Sequence, residues 1–161
     1  MIQKKICLLG GFAVGKSSLV RRFVSGMFSE TYRTTIGVTI EKKSLEAAGQ
    51  QVDLLIWDLY GEDEFQSIRE SYLRGSSGYI LVVDGTRRAT LETAESLHRM
   101  AAAALGAVPF VLIVNKLDLR SEWEVDEDTL SRLRRQGWLI LLSSARPGKE
   151  SKTCLRNSPP K

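Results

Sequence analysis

The chain has 161 residues, of which 43% are hydrophobic and 26% charged, with a formal net charge of +4. That is one domain's worth of chain, long enough for one sizeable core, and the composition excludes fibrous and wholly disordered classes. The basic residues, among them Arg21, Arg22, Arg87, Arg88, Arg132, Arg134 and Arg135, are scattered. They read as solvated helix faces, not as a nucleic-acid footprint.

Residues 2–9 read as a strand; Gly10, Gly11 and Lys16 interrupt the apolar run too soon for a signal peptide. A helix over 15–24 opens on the glycine-rich loop. Residues 37–45 and 52–58 are strand-like, and Gly49 in the AAGQQ stretch between them makes a hairpin. A helix is expected over 62–74 and a buried strand over 78–83 (GYILVV). Residues 89–105 carry Leu91, Ala94, Leu97, Ala101 and Ala104 at helical spacing. A buried strand over 108–114 (VPFVLIV), a helix over 126–136 capped by Asp126, and a last strand over 138–142 (WLILL) follow. The expected fold is α/β: a six-stranded, mostly parallel sheet flanked by helices, with one antiparallel edge hairpin and a P-loop. Residues 1–146 form the domain. Residues 147–161, polar and rich in charge and proline, form a disordered tail. No window reaches the length of a membrane span. Cys7 reads as core and Cys154 lies in the tail, which fits a reducing cytoplasm. His98 reads as a half-exposed structural residue, and no His/Cys cluster suggests a transition-metal site.

Three motifs carry chemistry. Gly10-x-x-x-x-Gly15-Lys16-Ser17 lies between a strand and a helix, as a phosphate cradle requires. Glycines let successive backbone N–H groups converge on a phosphate, and the helix N-terminus adds partial positive charge. Gly10, Ala13, Val14, Gly15, Lys16, Ser17 and Ser18 are its candidate nucleotide-binding residues. Lys16 would reach the β- and γ-phosphates, and the Ser17 hydroxyl would bind Mg²⁺. Asn115-Lys116-Leu117-Asp118 follows the strand that ends at Val114. The Asp118 carboxylate can accept from both the N1–H and the exocyclic amine of guanine, a donor pair that adenine lacks. Asn115 can bond the base and tie down the P-loop, and the Lys116 stem can cover the ring. Asp58-Leu59-Tyr60-Gly61 ends another predicted strand. Asp58 can hold Mg²⁺ through water, and the Gly61 amide can meet a γ-phosphate.

Together and in this order, the motifs resemble those of the Ras superfamily of small GTPases over residues 2–146. Thr35-Ile36-Gly37-Val38, the pair Trp57-Asp58 and the stretch YLRGSSGYILVVDGT resemble its Rab-like branch. The resemblance implies GTP and GDP as ligands with Mg²⁺, the ion being held by Ser17, Thr35 and Asp58. Thr35 would coordinate it only with GTP bound. Phe28, by itself a core aromatic, would lie against the guanine. Ser144-Ala145-Arg146 resembles the family's Ser-Ala-Lys loop at the base oxygen. Lys16, Thr35, Gly61 and Glu62 are the candidate catalytic residues. Segments 30–40 and 58–72 would switch with the nucleotide and meet effector and exchange-factor proteins.

Three departures qualify the resemblance. Glu62 stands where the family has a glutamine that orients the attacking water; a carboxylate cannot donate, and it sets negative charge beside developing negative charge. Phe12 stands where the family has a small residue, crowding the space an arginine finger enters. Nothing after Arg146 has the apolar spacing of the family's closing helix, so one sheet face would need a partner or leave the product unstable. The terminal Ser158-Pro159-Pro160-Lys161 is no prenylation box. The expected function is a cytoplasmic GTP-binding switch with slow hydrolysis. The alternative is a guanine-nucleotide-binding interaction module with little or no GTPase activity. An ATPase or kinase is opposed by Asn115 and Asp118.

Overall fold

The computed structural model describes residues 2–10, 14–16, 19, 29–33, 39–58 and 70–143. The expected tail, the stretch where the family's closing helix would fall and Cys154 lie outside the described residues. In chain order the elements are β1 (Ile2–Gly10), β2 (Ser29–Arg33), β3 (Thr39–Ala47), β4 (Gln50–Asp58), α1 (Glu70–Leu73), β5 (Ser76–Asp84), α2 (Arg88–Leu105), β6 (Phe110–Asn115), a 3-10 helix (Leu117–Glu122), α3 (Glu127–Arg135) and β7 (Ile140–Leu142). Among the described residues no helix is long and apolar enough to cross a membrane.

The strands form one sheet in the order β2-β3-β4-β1-β5-β6-β7. β1 runs parallel to β4 and β5, β5 to β6 and β6 to β7, while β2–β3 and β3–β4 are antiparallel. The α/β class stands, and all six expected strands are present. The correction is a seventh, β2, which takes the sheet edge from the expected hairpin. Its sequence, SETYR, has no apolar run. The strand exists because β3 offers an unpaired row of N–H and C=O groups, matched from Ser29↔Lys43 to Arg33↔Thr39. The hairpin turn lies at Ala48 and Gly49, with φ of 52° and 77°, the left-handed pair that a two-residue connection needs.

Alternation along the central strands splits the core in two. Cys7, Leu9, Leu81, Val83, Leu112 and Val114 face α2 and α3, where they pack on Leu91, Ala94, Leu130 and Leu133. Leu8, Ile56, Val82, Val111 and Ile113 face the other way, toward Val14 and Leu19. Cys7 is core as expected, with its Sγ 3.0 Å from Ser76 Oγ. The apolar stripe of α2 holds through Ala101, but Ala104 is exposed, and Leu105 beside it packs on the core instead. Asp126 caps α3 by accepting from the Thr129 amide at 2.8 Å. His98 is structural: its Nδ1 lies 2.8 Å from the Tyr79 hydroxyl, within a group of rings that includes Phe110 and Trp138. Burial and the neighbouring Arg99 charge lower its pKa, which favours the neutral ring.

Candidate functional site

The parallel strands bring their C-terminal residues to one edge of the sheet. Leu8 pairs with Asp58, Gly10 with Val82 and Asp84 with Asn115, so Gly10, Asp58, Asp84 and Asn115 lie along the same border. From β1 the chain goes to the β2–β4 side and then returns to build β5–β7 on the other. Such a reversal opens a crevice beyond the strand ends, where open α/β sheets take their ligands.

On the phosphate side, a Cβ at Gly10 would lie 2.8 Å from the Val82 carbonyl oxygen and 3.0 Å from Val14 Cγ2. Only glycine fits there. Gly15 has a φ of 90°, a conformation that L side chains rarely adopt. A helical turn starts directly after it, with the Leu19 amide bonded to the Gly15 carbonyl at 2.9 Å. Lys16 and Asp58 are buried, and their Nζ and Oδ1 are 2.9 Å apart. The fit to a magnesium nucleotide is good on two counts. The cradle leaves no room for a Cβ, and an ammonium suited to phosphate stands beside a carboxylate, the hard oxygen donor that Mg²⁺ prefers. Ala13, Ser17, Ser18, Phe28, Thr35, Gly61 and Glu62 lie outside the described residues, as does Phe12.

The base side is built from β5, β6 and the segment after β6. Asn115 is fully buried, and its side-chain amide donates to the Val14 carbonyl at 2.9 Å across 101 residues of sequence. This ties the base loop to the phosphate loop. Its Oδ1 has no hydrogen-bond partner among the described residues, so a buried acceptor remains at the mouth of the site. Lys116 is left-handed, with φ 70° and ψ 41°. Asp118 is exposed in the first turn of the 3-10 helix. The Ser143 amide bonds the Val114 carbonyl and the Leu117 amide bonds the Ser143 carbonyl, each at 2.9 Å. Ser143 is therefore held beside the base loop; Ser144, Ala145 and Arg146 lie outside the described residues.

Sequence reasoning missed Asp84 and Trp123. The Asp84 carboxylate is 1% exposed and 2.9 Å from Lys116 Nζ. It also accepts from the Thr86 amide, the Thr86 hydroxyl and Arg87 Nε, at 2.9, 2.7 and 3.0 Å. Burial pushes its pKa up, but the bonds from Thr86, Lys116 and Arg87 outweigh that and hold it at about 2. The indole Nε1–H of Trp123 donates to the Lys116 carbonyl at 2.9 Å. A charged residue closing a buried strand at the same level as Asn115 was the available signal for Asp84. For Trp123 there was none short of the fold.

Comparison with known proteins agrees with this geometry. Residues 5–155 match the Ras family. The chain is 36% identical over 153 residues to human Ras-related protein Rab-19, covering 92% of this chain and 68% of that protein. It is 40% identical over 124 residues to human Ras-related protein Rab-30, covering 76% and 61% respectively. Ras-related protein Rab-1A of Dictyostelium discoideum is 37% identical over 126 residues, covering 78% and 62%.

Proposed function

The chain belongs to the Ras family of small GTP-binding proteins, which hydrolyse GTP and act as switches, and we propose that its own site binds guanine nucleotide with Mg²⁺ and turns GTP over slowly. The observation that carries this reading is the Asn115–Val14 bond at 2.9 Å, which joins a loop chemically suited to guanine to a loop suited to phosphate. Lys16 would neutralise the β- and γ-phosphates. The Ser17 and Thr35 hydroxyls and the Asp58 carboxylate would hold Mg²⁺, which supplies charge compensation at the transferring phosphoryl group. Asn115, Lys116 and Asp118 would take the base, with Phe28 and the 144–146 loop beside it. Thr35 and Gly61 would respond to the γ-phosphate and shape segments 30–40 and 58–72 for effectors and exchange factors. The folded domain would end at residue 146, although the family match continues to 155; limited proteolysis that spares residues beyond 146 would move that boundary. The buried free thiol of Cys7 suits a cytoplasmic setting.

Slow turnover follows from Glu62 and Phe12. Unstimulated small GTPases already hydrolyse at about 10⁻⁴ per second. By the resemblance Glu62 would place a carboxylate where charge develops, and Phe12 would crowd the approach of an arginine finger. The same two residues favour a second reading, a nucleotide-binding interaction module without useful hydrolysis. Single-turnover hydrolysis of GTP by the wild type and Glu62→Gln decides between them. We expect slow but measurable turnover, faster by about tenfold with glutamine. No turnover in either protein would favour the module, and equal rates would remove Glu62 from the explanation.

A further inference from the structure

We propose that Asp84 and Trp123 are positioning residues that hold Lys116 at both ends for guanine recognition. The inference rests on the reading of Asn115–Asp118 as the guanine loop.

Lys116 is one of two non-glycine residues with positive φ among those described; the other, Ala48, sits in the hairpin turn. No hairpin explains Lys116. Its conformation persists because its surroundings determine it. The Lys116 carbonyl accepts from Trp123 Nε1 and from the Leu119 amide, both at 2.9 Å. The ammonium is fixed 2.9 Å from Asp84 Oδ2. Thr86 occupies Oδ1 of the same carboxylate through its amide and hydroxyl, while Arg87 Nε shares Oδ2. Asp84 is thereby locked and serves Lys116 as a fixed anchor.

Trp123 has its own seat. A Cβ on Gly85 would collide with the indole ring of Trp123, so the ring lies on a backbone that only glycine leaves open. The Gly85 carbonyl accepts from the Glu124 and Val125 amides at 2.9 and 3.1 Å, and the Gly85 amide donates to the Asn115 carbonyl at 3.2 Å. The end of β5 and the segment after β6 form one bracket around Lys116. A lysine left unheld would lose rotamer freedom on covering a base. A lysine held at both ends has already lost it, and the gain appears as slower ligand release.

The test is the release rate of GDP from the full chain, for the wild type, Asp84→Asn, Trp123→Phe and Lys116→Met, and for each of the first two variants combined with Lys116→Met. Trp123→Phe keeps an aromatic ring but loses the N–H together with part of the bicyclic indole, and the Lys116→Met background separates the two losses. We expect release to quicken about tenfold or more for Asp84→Asn and about two- to tenfold for Trp123→Phe. In the Lys116→Met background each change should alter release by less than about twofold, because the residue through which it acts is gone. Effects that persist undiminished in that background overturn the proposal and make the bracket a general clasp of the loop. So does release from Lys116→Met at the wild-type rate. A wild type that retains no GDP overturns the guanine reading itself, and this inference with it. If Asp84→Asn does not fold, the Trp123 arm decides alone.

Discussion

The two halves of the site are held in different ways. On the base side the protein fixes its own groups: Asn115 to Val14, Lys116 to Asp84 and Trp123, and Leu117 to Ser143. On the phosphate side the dominant feature is a pair of opposed charges, Lys16 and Asp58, 2.9 Å apart and buried. Directional bonds at several points, the Lys116–Asp84 ion pair among them, fix shape, and shape selects a base. Opposed charges fix potential, and potential gathers phosphate and metal. On the proposed reading, specificity is built in before the ligand arrives, whereas affinity depends on charges that the ligand itself completes.

The sharpest way to break this contrast is Lys16→Met. The substitution takes an ammonium from beside a carboxylate that is 3% exposed. Removing one partner of a buried ion pair typically costs about 3–5 kcal/mol. On the proposed reading it also removes the cation that would meet the phosphates. GDP affinity should fall at least about a hundredfold in a titration, and the urea midpoint should drop. If the variant keeps more than about a tenth of the wild-type affinity, the base side alone carries binding and the contrast fails.

A smaller effect probes the base side through pH. Asp84 titrates at about 2 in the fold against an ordinary 3.8. Its folded-state pKa is depressed, so its stabilisation is fully present above about pH 4 and is lost as pH falls toward about 2. The shift corresponds to about 2 kcal/mol. Denaturation curves between pH 5 and pH 2 should show the wild type losing that much more than Asp84→Asn. Parallel curves would mean that the bonds to Thr86, Arg87 and Lys116 do not favour the charged carboxylate.

How much of this was legible in the sequence depends on where each interaction partner lies. Buried strands such as FVLIV and YILVV announce themselves, because burial on both faces demands continuous apolar residues. Gly10, Gly15, Lys16, Asn115 and Asp118 are legible because spacing and backbone chemistry are local. The β2 strand is not, since SETYR pairs only because β3 has an open edge. Asp84 is not, since its meaning comes from Lys116, the residue after Asn115, beside which the parallel register of β5 and β6 sets Asp84. Trp123 is the least legible, because its seat is the missing Cβ of Gly85. What the sequence conceals is the pairing of residues far apart in the chain.

The smallest expected effect tests whether the base side owes its order to buried ties alone. Glu127, at the start of α3, pairs with Arg120 at 3.2 Å and with Arg134 at 2.9 Å. Arg120 in turn lies over the Trp123 ring, 4.4 Å from its centroid. A chain of contacts thus runs from the surface to the bracket. Its outer members are open to solvent, with the Glu127 side chain 58% exposed, where water and salt screen an ion pair to about 0–1 kcal/mol. Glu127→Gln should therefore change stability by less than about 0.5 kcal/mol and leave GDP release at the wild-type rate, even at low salt. A release rate raised as much as by Trp123→Phe would show that Arg120 clamps the indole from outside. The order of the base side would then depend on surface ion pairs as well as on buried ties, and the distinction between the two halves would be one of depth, not of kind.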